Sequence, residues 1–303
     1  MSQWAIQATG VTKRYGATVA LDALDLEVQR GEVFGFLGPN GAGKSTAIRI
    51  FVAALRADSG QVRVLDVNPF NAPAVWRAEV GYLPGELVLP STSTAGAYLA
   101  YLARLRQNRG AEQIGVLASR LSLDLDKPMR SLSKGNKQKV GVIQAFMHDP
   151  QLLILDEPTS GLDPLLQNEV AHMIAAAQER GATVFFSSHV LSEVEASCNR
   201  VAIIRSGKLI TVEQVTKLRE LAGQTLRVSY AGAVTPQLFA ELSAVTNVVI
   251  ADGELSATVH GSITEVLARL NTLNVTKMQL VDRELDDLFL AFYHAATLGD
   301  DDA

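Results

Sequence analysis

The sequence contains the stretch Gly38-Pro39-Asn40-Gly41-Ala42-Gly43-Lys44-Ser45, which fits the pattern G-x-x-x-x-G-K-[ST]. Apolar residues of a buried strand precede it at positions 32–37, and a helical pattern follows it at 45–55. Glycines let backbone N–H groups converge on phosphate oxygens, and the helix start directs its positive dipole end at the same anion. Lys44 can reach the β- and γ-phosphates, and the Ser45 hydroxyl can bind Mg²⁺. The stretch therefore predicts a phosphate-binding loop rather than an ordinary glycine-rich turn.

A second motif combines a buried strand with two acids, Leu152-Leu153-Ile154-Leu155-Asp156-Glu157. Ligands of α/β sheets bind at the carboxyl ends of the strands, where these two acids lie. Asp156 is a suitable ligand for Mg²⁺, and Glu157 is suitably placed to polarise an attacking water. The alternative is an acid pair that caps a helix before Pro158. Beside a phosphate-binding loop we favour the first interpretation, which predicts a phosphoryl-transfer site.

The first two-thirds of the chain alternates short apolar runs with helical patterns. Continuous apolar strands between helices indicate a parallel sheet that is covered on both faces. The predicted buried strands are 32–37, 151–155, 183–187 and 201–204, and the predicted helices include 45–55, 165–179 and 191–197. Residues 87–125 carry Ala, Leu and Arg at helical spacing, which indicates a helical insertion that we place at about 87–145. The fold class predicted for this part is α/β.

The character of the sequence changes near residue 211. Predicted strands at 225–230, 248–250, 255–259 and 277–281 alternate with predicted helices at 236–242 and 263–273. A hairpin signal, Asp252-Gly253, separates the middle two strands. The order β-α-β-β-α-β is that of a ferredoxin-like unit, and a final helix is predicted at 284–293. We therefore predict two domains, residues 1–215 and a small α+β accessory domain at 216–303.

Composition and charge exclude several classes of protein. The chain has 303 residues, a net charge of −5 and a single cysteine, Cys198. A duplex-binding protein normally carries a basic surplus, so no nucleic-acid partner is expected; one cysteine excludes a disulfide scaffold. A membrane span needs about 20 consecutive apolar residues, and the apolar runs here have strand length. We expect a soluble, cytoplasmic protein that reaches a membrane only through another chain.

Five motifs, taken together, resemble the ATP-binding subunit of an ABC (ATP-binding cassette) transporter over residues 4–215. They are the glycine-rich loop, the signature loop Leu132-Ser133-Lys134-Gly135-Asn136-Lys137-Gln138, the strand that ends in Asp156-Glu157, Ser160-Gly161-Leu162-Asp163, and Ser188-His189. The resemblance implies a P-loop NTPase cassette with a parallel-rich sheet, an N-terminal antiparallel β part and a helical insertion. It also implies a head-to-tail dimer, in which each ATP lies between the phosphate loop of one copy and the signature loop of the other.

The resemblance assigns a role to each motif. ATP would be bound by an adenine-stacking aromatic and the phosphate loop, namely Tyr15, Gly38, Pro39, Asn40, Gly41, Ala42, Gly43, Lys44, Ser45 and Thr46. The signature loop would reach the γ-phosphate across the dimer through Ser133, Lys134, Gly135 and Asn136. Lys44, Glu157 and His189 would be catalytic, with His189 touching the γ-phosphate and orienting water together with Glu157. Asp163 would organise the dimer contact, and Ser45 and Asp156 would bind Mg²⁺.

Two positions depart from the family pattern. The signature usually reads Leu-Ser-Gly-Gly-Gln, and here Lys134 and Asn136 replace a glycine and the glutamine. Ser133 and Gly135 are kept, so hydroxyl and backbone contacts to phosphate remain available. The family also places a glutamine directly after the proline in Gly81-Tyr82-Leu83-Pro84-Gly85-Glu86, as a ligand of Mg²⁺ and water. Gly85 has no side chain for this role, and Glu86, one residue later, is the candidate substitute.

The resemblance leads to a functional hypothesis in which the chain hydrolyses ATP to energise an exporter of drugs, antibiotics or lipids. The signature with Lys134 and Asn136, and the small C-terminal domain, resemble cassettes of that kind. The expected partners are a second copy and a separate transmembrane permease, which would hold the chain at the inner face of the cell membrane. The alternative is a non-transport cassette ATPase that acts on ribosomes or nucleic acid. A cassette that binds ATP without hydrolysing it is disfavoured because Glu157 and His189 are both present.

The accessory domain carries none of these motifs, since every residue assigned to phosphate, Mg²⁺ or water precedes residue 190. We expect it to be regulatory or to stabilise the dimer without touching ATP. Its final helix would carry an apolar stripe that needs a partner, formed by Leu285, Leu288, Phe289 and Phe292.

Overall fold

The structure of the protein is a computed structural model, which describes residues 2–232, 239, 242, 244–251 and 253–283. By its internal contacts the chain divides into two compact units, Met1–Val212 and Glu213–Ala303. Within the described part, no helix is both long enough and apolar enough to cross a membrane.

Among its described residues the first unit contains six α-helices and nine strands, the last of which extends two residues into the second unit. The strands are β1 (Trp4–Tyr15), β2 (Thr18–Gln29), β3 (Val33–Leu37), β4 (Ser59–Val64), β5 (Val80–Leu83), β6 (Leu152–Asp156), β7 (Thr183–Ser188), β8 (Arg200–Arg205) and β9 (Lys208–Gln214). The helices are α1 (Lys44–Phe51), α2 (Ala95–Leu105), α3 (Gln113–Arg120), α4 (Lys134–Phe146), α5 (Pro164–Glu179) and α6 (Leu191–Ser197). Short 3-10 helices span Ala74–Glu79 and Met129–Ser131.

The central sheet has six strands in the order β5-β6-β7-β3-β8-β9. From β5 to β8 every neighbouring pair is parallel. All residues of β3, β6 and β7 are buried, which is why these strands are nearly continuous apolar runs in the sequence. The predicted parallel sheet is confirmed. The expected antiparallel part is also present, as a three-stranded sheet in the order β2-β1-β4.

One apolar cluster of the first unit joins α1 to the two sheets and contains several aromatic rings. The ring of Phe185 on β7 stacks on Phe34 at 5.9 Å between centroids and meets Phe36 at 5.4 Å. Phe51, at the end of α1, contacts Phe185 edge-on at 5.6 Å. These rings fix α1 against β3 and β7, so the loop that leads into α1 starts from a rigid base. The predicted helical insertion is observed as α2, α3 and α4.

Helix α1 ends earlier than predicted, at Phe51 instead of Leu55. Ala53 adopts a left-handed backbone with a φ of +58°. Its N–H donates to the carbonyl of Ile50, and the next N–H, of Ala54, donates to that of Arg49 at 2.8 Å. This pair of bonds is the Schellman termination, which is usually built on a glycine. Without a glycine at position 53, the sequence gives no signal of the stop.

The second unit contains α7 (Val215–Ala222), β10 (Gln224–Ala231), β11 (Val245–Ala251), β12 (Glu254–Val259), α8 (Thr264–Leu270) and β13 (Asn274–Asp282). Its strands form one sheet in the order β11-β12-β10-β13, and all neighbours are antiparallel. Because β12 lies between β10 and β11, this order is that of a split βαβ unit. Leu226, Val228 and Val266 belong to its own apolar core. Helix α7 is an addition that was not predicted.

Two predicted elements of the second unit fall wholly or largely outside the described residues. These are the helices at 236–242 and 284–293, the second of which includes Leu285, Leu288, Phe289 and Phe292. Asp252 of the predicted hairpin turn also lies outside them, and Gly253 forms part of the turn between β11 and β12.

Candidate functional site

The parallel register of the central sheet brings the predicted motifs to one edge. Leu37 at the end of β3 pairs with Ser188 at the end of β7. Asp156 at the end of β6 pairs with Ser187, also on β7. The phosphate loop follows β3, Asp156 ends β6 and Glu157 follows it, and His189 follows β7. Motifs that are far apart in the sequence therefore meet at the carboxyl edge, where α/β sheets bind ligands.

The phosphate loop depends on glycine at both of its ends. A Cβ on Gly38 would lie 2.4 Å from the carbonyl oxygen of Ile204, so only glycine fits beside β8. Gly43 caps the N-terminus of α1 with a φ of 107°, in the left-handed region. The backbone N–H of Gly38 donates to the carbonyl of Ser188 at 3.3 Å. The loop is thus tied to β7 and β8 before the helix begins, with Ser45 and Thr46 half-buried in the first turn.

Lys44 is the buried cation of the loop, with 5% of the residue exposed. Its Nζ donates to the carbonyl oxygens of Gly38 at 2.6 Å and Pro39 at 3.1 Å. Burial lowers the pKa of Lys44, and the charges of Glu157 and Asp156 oppose that shift. The ammonium of Lys44 is already desolvated in the folded protein, so the binding of an anion there carries little further desolvation cost for the lysine.

Asp156 is a buried carboxylate, with 3% of the residue exposed. The hydroxyl of Ser187 donates to its Oδ1 at 2.6 Å and fixes the orientation of the group. The backbone of Gly85 approaches the other oxygen so closely that a Cβ there would lie 2.9 Å from Oδ2. Gly85 is therefore adjacent to the predicted Mg²⁺ ligand, although it has no side chain. Glu86 is exposed.

Glu157 is held in an unusual backbone conformation, with a φ of +50°. Its N–H donates to both the carbonyl and the hydroxyl oxygen of Ser187, at 3.2 and 3.1 Å. Its carbonyl accepts from Nε2 of Gln138 at 3.1 Å. The carboxylate Oε1 then lies 3.8 Å from Nζ of Lys44 and 3.2 Å from Nδ1 of His189. The three predicted catalytic groups are brought together, with Glu157 in the centre.

The signature loop begins α4 and packs against the loop that follows Glu157. Ser133 is the N-cap of α4, and its hydroxyl accepts from the N–H of Asn136 at 3.3 Å. A Cβ on Gly135 would lie 2.8 Å from the carbonyl oxygen of Gly161, so glycine permits this close contact. Ser133 and Lys134 are exposed, while Asn136 is half-buried. The helix end is therefore open to an external ligand.

The remaining predicted residues lie around this edge with structural partners of their own. Asp163 is the N-cap of α5, where its Oδ1 accepts from the N–H of Leu166 at 3.1 Å. Tyr15 lies at the end of β1 with 48% of the residue exposed, and Nζ of Lys13 lies 5.9 Å from its ring centre. Their roles in a dimer and in adenine stacking stay predictions.

Ser187 and Gln138 are the site residues that the sequence motifs did not single out. Ser187 binds both Asp156 and Glu157, and Gln138 binds the carbonyls of Glu157 and Pro158. Gln138 lies in the signature loop and Ser187 ends a predicted strand, but neither pattern indicates a hydrogen-bond partner. Their function is visible only once β6, β7 and α4 are adjacent.

The residues present fit a magnesium–nucleotide ligand. Mg²⁺ is usually bound by one or two protein oxygens together with phosphates and water. The buried carboxylate of Asp156 and the hydroxyl of Ser45 are oxygen ligands of this type, and Lys44 supplies a cation for the phosphates.

Comparisons with known proteins agree with this geometry. Residues 21–160 match the family described as ABC transporter. The linearmycin resistance ATP-binding protein LnrL of Bacillus subtilis is 30% identical over an alignment that covers 94% of this chain and 97% of that protein. The bacitracin transport ATP-binding protein BcrA of Bacillus licheniformis is 36% identical, with 68% of each chain covered. A solved ATP-binding subunit of an ABC transporter superposes with a TM-score of 0.66 at 26% identity, over 72% of this chain and 92% of that one. The fold, the strand-end site and these relatives together show that the chain belongs to the ABC transporter ATP-binding proteins and is a cassette ATPase.

Proposed function

We propose that the chain is the ATP-hydrolysing subunit of an exporter for antibiotics, drugs or lipids. The observation that carries the catalytic part is the position of Glu157, whose Oε1 lies between Nζ of Lys44 and Nδ1 of His189. A carboxylate beside a phosphate-binding lysine and an imidazole is placed to accept a proton from water that attacks the γ-phosphate. The transport part is supported by the two relatives, which are named for linearmycin resistance and bacitracin transport.

In the proposed mechanism, the nucleotide phosphates replace the carbonyls of Gly38 and Pro39 as partners of Lys44. Ser45 and Asp156 would hold Mg²⁺, which neutralises the charge that develops on the transferred phosphoryl group. Ser187 keeps Asp156 in place through its 2.6 Å hydrogen bond. Glu157 takes the proton of the attacking water, and His189 orients Glu157 and contacts the γ-phosphate.

The proposed active form is a head-to-tail dimer. The N-terminus of α4 is exposed at Ser133 and Lys134, and a helix start with a hydroxyl cap is a suitable anion site. A second copy would bring this helix start to the γ-phosphate. Asp163, which caps α5 within its own chain, would lie at the dimer contact.

The proposed second partner is a separate transmembrane permease, which would hold the chain at the inner face of the membrane. Gly85 and Glu86 occupy the segment where the family links the ATP site to that partner. The contact between Gly85 and Asp156 supports a link through the backbone at this point. In the same proposal Glu86 is the candidate Mg²⁺ ligand in place of the family's glutamine. The alternative, a cassette ATPase that acts on ribosomes or nucleic acid, is not favoured, because these relatives are transport and resistance proteins.

We also propose the domain boundary at 215/216 and a regulatory or dimer-stabilising role for the second domain. All residues assigned to ATP lie in the first unit, and the second unit has its own core. The alignment with LnrL covers 97% of that protein, so a comparable C-terminal region is present there.

The experiment that tests the transport proposal is affinity purification of the tagged full-length chain from detergent-solubilised membranes. We expect one multi-span membrane protein to copurify in a constant ratio. Cosedimentation with ribosomal subunits, without a membrane protein, would support the alternative instead.

A further inference from the structure

We propose that Glu193 is a positioning residue for ATP hydrolysis, which fixes the loop after Glu157 relative to the loop that carries His189. This inference rests on the catalytic roles proposed for Glu157 and His189. Glu193 lies in the first turn of α6 and is half-buried beside the strand ends. None of the sequence motifs that predict the site contains this residue.

The carboxylate of Glu193 accepts two short hydrogen bonds from two different loops. The hydroxyl of Thr159 donates to Oε1 at 2.6 Å, and the hydroxyl of Ser188 donates to Oε2 at 2.6 Å. Both donors are buried, with 9% of Thr159 and 2% of Ser188 exposed. Bonds of this length from a hydroxyl to a carboxylate belong to the strong class.

Each donor lies within two residues of a proposed catalytic group. Thr159 lies two residues after Glu157. It begins a turn, in which its carbonyl accepts from the N–H of Leu162 at 3.1 Å. Ser188 immediately precedes His189, and its carbonyl accepts from the N–H of Gly38 in the phosphate loop at 3.3 Å. One carboxylate therefore joins the segment of Glu157, the segment of His189 and, through Ser188, the phosphate loop.

Both oxygens of the Glu193 carboxylate take part in the bridge. A carboxylate can accept from both hydroxyls at once. The hydroxyl oxygen of Ser188 accepts from the N–H of Val190 at 2.9 Å, and its single proton has two acceptors within reach. Oε2 of Glu193 lies at 2.6 Å and the carbonyl oxygen of Val190 at 3.1 Å, so the shorter distance favours donation to Glu193. A small change in the bridge would alter the distance between Glu157 and His189, now 3.2 Å. Reacting groups that shift by a fraction of an ångström lose rate without losing substrate affinity.

The test uses full-length variants, with steady-state ATP hydrolysis for kcat and calorimetric titration with Mg-ATP for Kd. Glu193→Ala removes both acceptors, and we expect kcat to fall roughly tenfold or more while Kd stays within about twofold. Glu193→Gln keeps one carbonyl acceptor and presents an amide N–H to the other hydroxyl, so it should recover most of the lost kcat. Glu169→Ala is the matched control, because Glu169 pairs with Arg120 at 2.6 Å outside the site and its loss should leave kcat unchanged.

A second route keeps the test decisive if Glu193→Ala does not fold. Thr159→Val removes one donor at nearly constant volume, and we again expect a lower kcat with a nearly unchanged Kd. If Glu193→Ala does fold, the loss of kcat in the double variant should be smaller than the sum of the two single losses in free energy.

Three results would overturn the inference. Unchanged kcat in Glu193→Ala and Thr159→Val, together with an inactive Glu157→Gln, would remove the role of Glu193 and leave the proposed function intact. A parallel loss of Mg-ATP affinity and kcat would identify a general structural role. Full turnover in Glu157→Gln would remove the proposed catalytic carboxylate, and the inference with it.

Discussion

Oε1 of Glu157 lies 3.8 Å from Nζ of Lys44, a cation of which 5% is exposed. The lysine also donates to the carbonyls of Gly38 and Pro39. Phosphate binding would therefore exchange the hydrogen-bond partners of Lys44, a cation that the fold has already buried. The residue proposed to bind the γ-phosphate and the residue proposed to activate water are already neighbours before that exchange.

The first prediction concerns Lys44→Ala. Without Lys44 the bound phosphates have no buried cation beside them. Because removal of one partner of a buried charge pair costs several kcal/mol, we expect the affinity for Mg-ATP to fall by about 10²-fold or more. Isothermal titration calorimetry measures this. The control is Lys127→Ala, since Lys127 is an exposed residue paired with Asp124 at 3.7 Å. Equal affinity in the Lys44 variant and the control would contradict the phosphate-loop assignment.

The second prediction concerns Glu157→Gln. The variant keeps the size of the side chain and its bond to His189 but loses the anion that polarises water. Turnover should fall by about 10²-fold or more, the scale of a lost general base, while ATP binding survives. The variant should accumulate as an ATP-bound dimer in size-exclusion chromatography, whereas Glu169→Gln should behave as wild type. Wild-type turnover would exclude Glu157 as the catalytic carboxylate.

The third prediction concerns Gly85→Ala. Its Cβ would lie 2.9 Å from Oδ2 of Asp156, and that carboxylate is buried and fixed by Ser187. Displacement of Asp156 should lower turnover about tenfold or more and raise the Mg²⁺ concentration needed for half-maximal activity. Gly115→Ala on α3 is the control, because a Cβ there meets nothing within 4 Å. A normal Mg²⁺ dependence in the Gly85 variant would show that this close approach has no role in metal binding.

The fourth prediction concerns pH and His148, which is fully buried and whose Nδ1 has no hydrogen-bond partner among the described residues. Burial, aided by the charge of Arg106, lowers the pKa of His148 from 6.5 to about 4. Between these values the unfolded chain binds a proton that the folded protein does not. The neutral state of His148 therefore contributes fully to the free energy of unfolding above pH 6.5. As the pH falls towards 4, the free energy of unfolding decreases by roughly 3 kcal/mol.

Urea unfolding at pH 7 and pH 4.5 measures this effect. Tryptophan fluorescence reports on the first unit alone, because Trp4 and Trp76 are the two tryptophans of the chain. We expect the urea midpoint of His148→Gln to depend less on pH than that of the wild type, while the exposed His172→Gln variant keeps the wild-type dependence. Identical pH dependence in all three proteins would contradict the buried neutral state of His148.

The fifth prediction concerns a chain that ends after Gln214, the last residue of β9. All proposed ATP ligands remain, so the affinity for Mg-ATP should stay near normal, while dimerisation or the regulation of turnover weakens. Titration calorimetry and analytical ultracentrifugation measure the two properties. Loss of ATP binding in a shortened chain with a native circular dichroism spectrum would place the second unit in the nucleotide site.

The elements that the sequence predicted well are those whose signal lies in a few consecutive residues. The run 152–155 predicts a buried strand because all its side chains are apolar, and β6 is fully buried. The glycines and Lys44 of residues 38–45 predict a phosphate loop because that loop is built from neighbouring backbone groups. The order of strand, loop and helix then places the loop at a carboxyl strand end.

The contacts between motifs could not be predicted in the same way. Ser187 binds Asp156 across 31 positions of sequence, and Thr159 binds Glu193 across 34. The residues around Ser187 and Thr159 form no sequence pattern that indicates a hydrogen-bond partner far away in the chain. Such hydrogen bonds exist only because the parallel register of β6 and β7 and the packing of α6 bring separate segments within 3 Å. The chemical groups of the site are therefore local properties of the chain, whereas their distances and orientations are properties of the packed sheet.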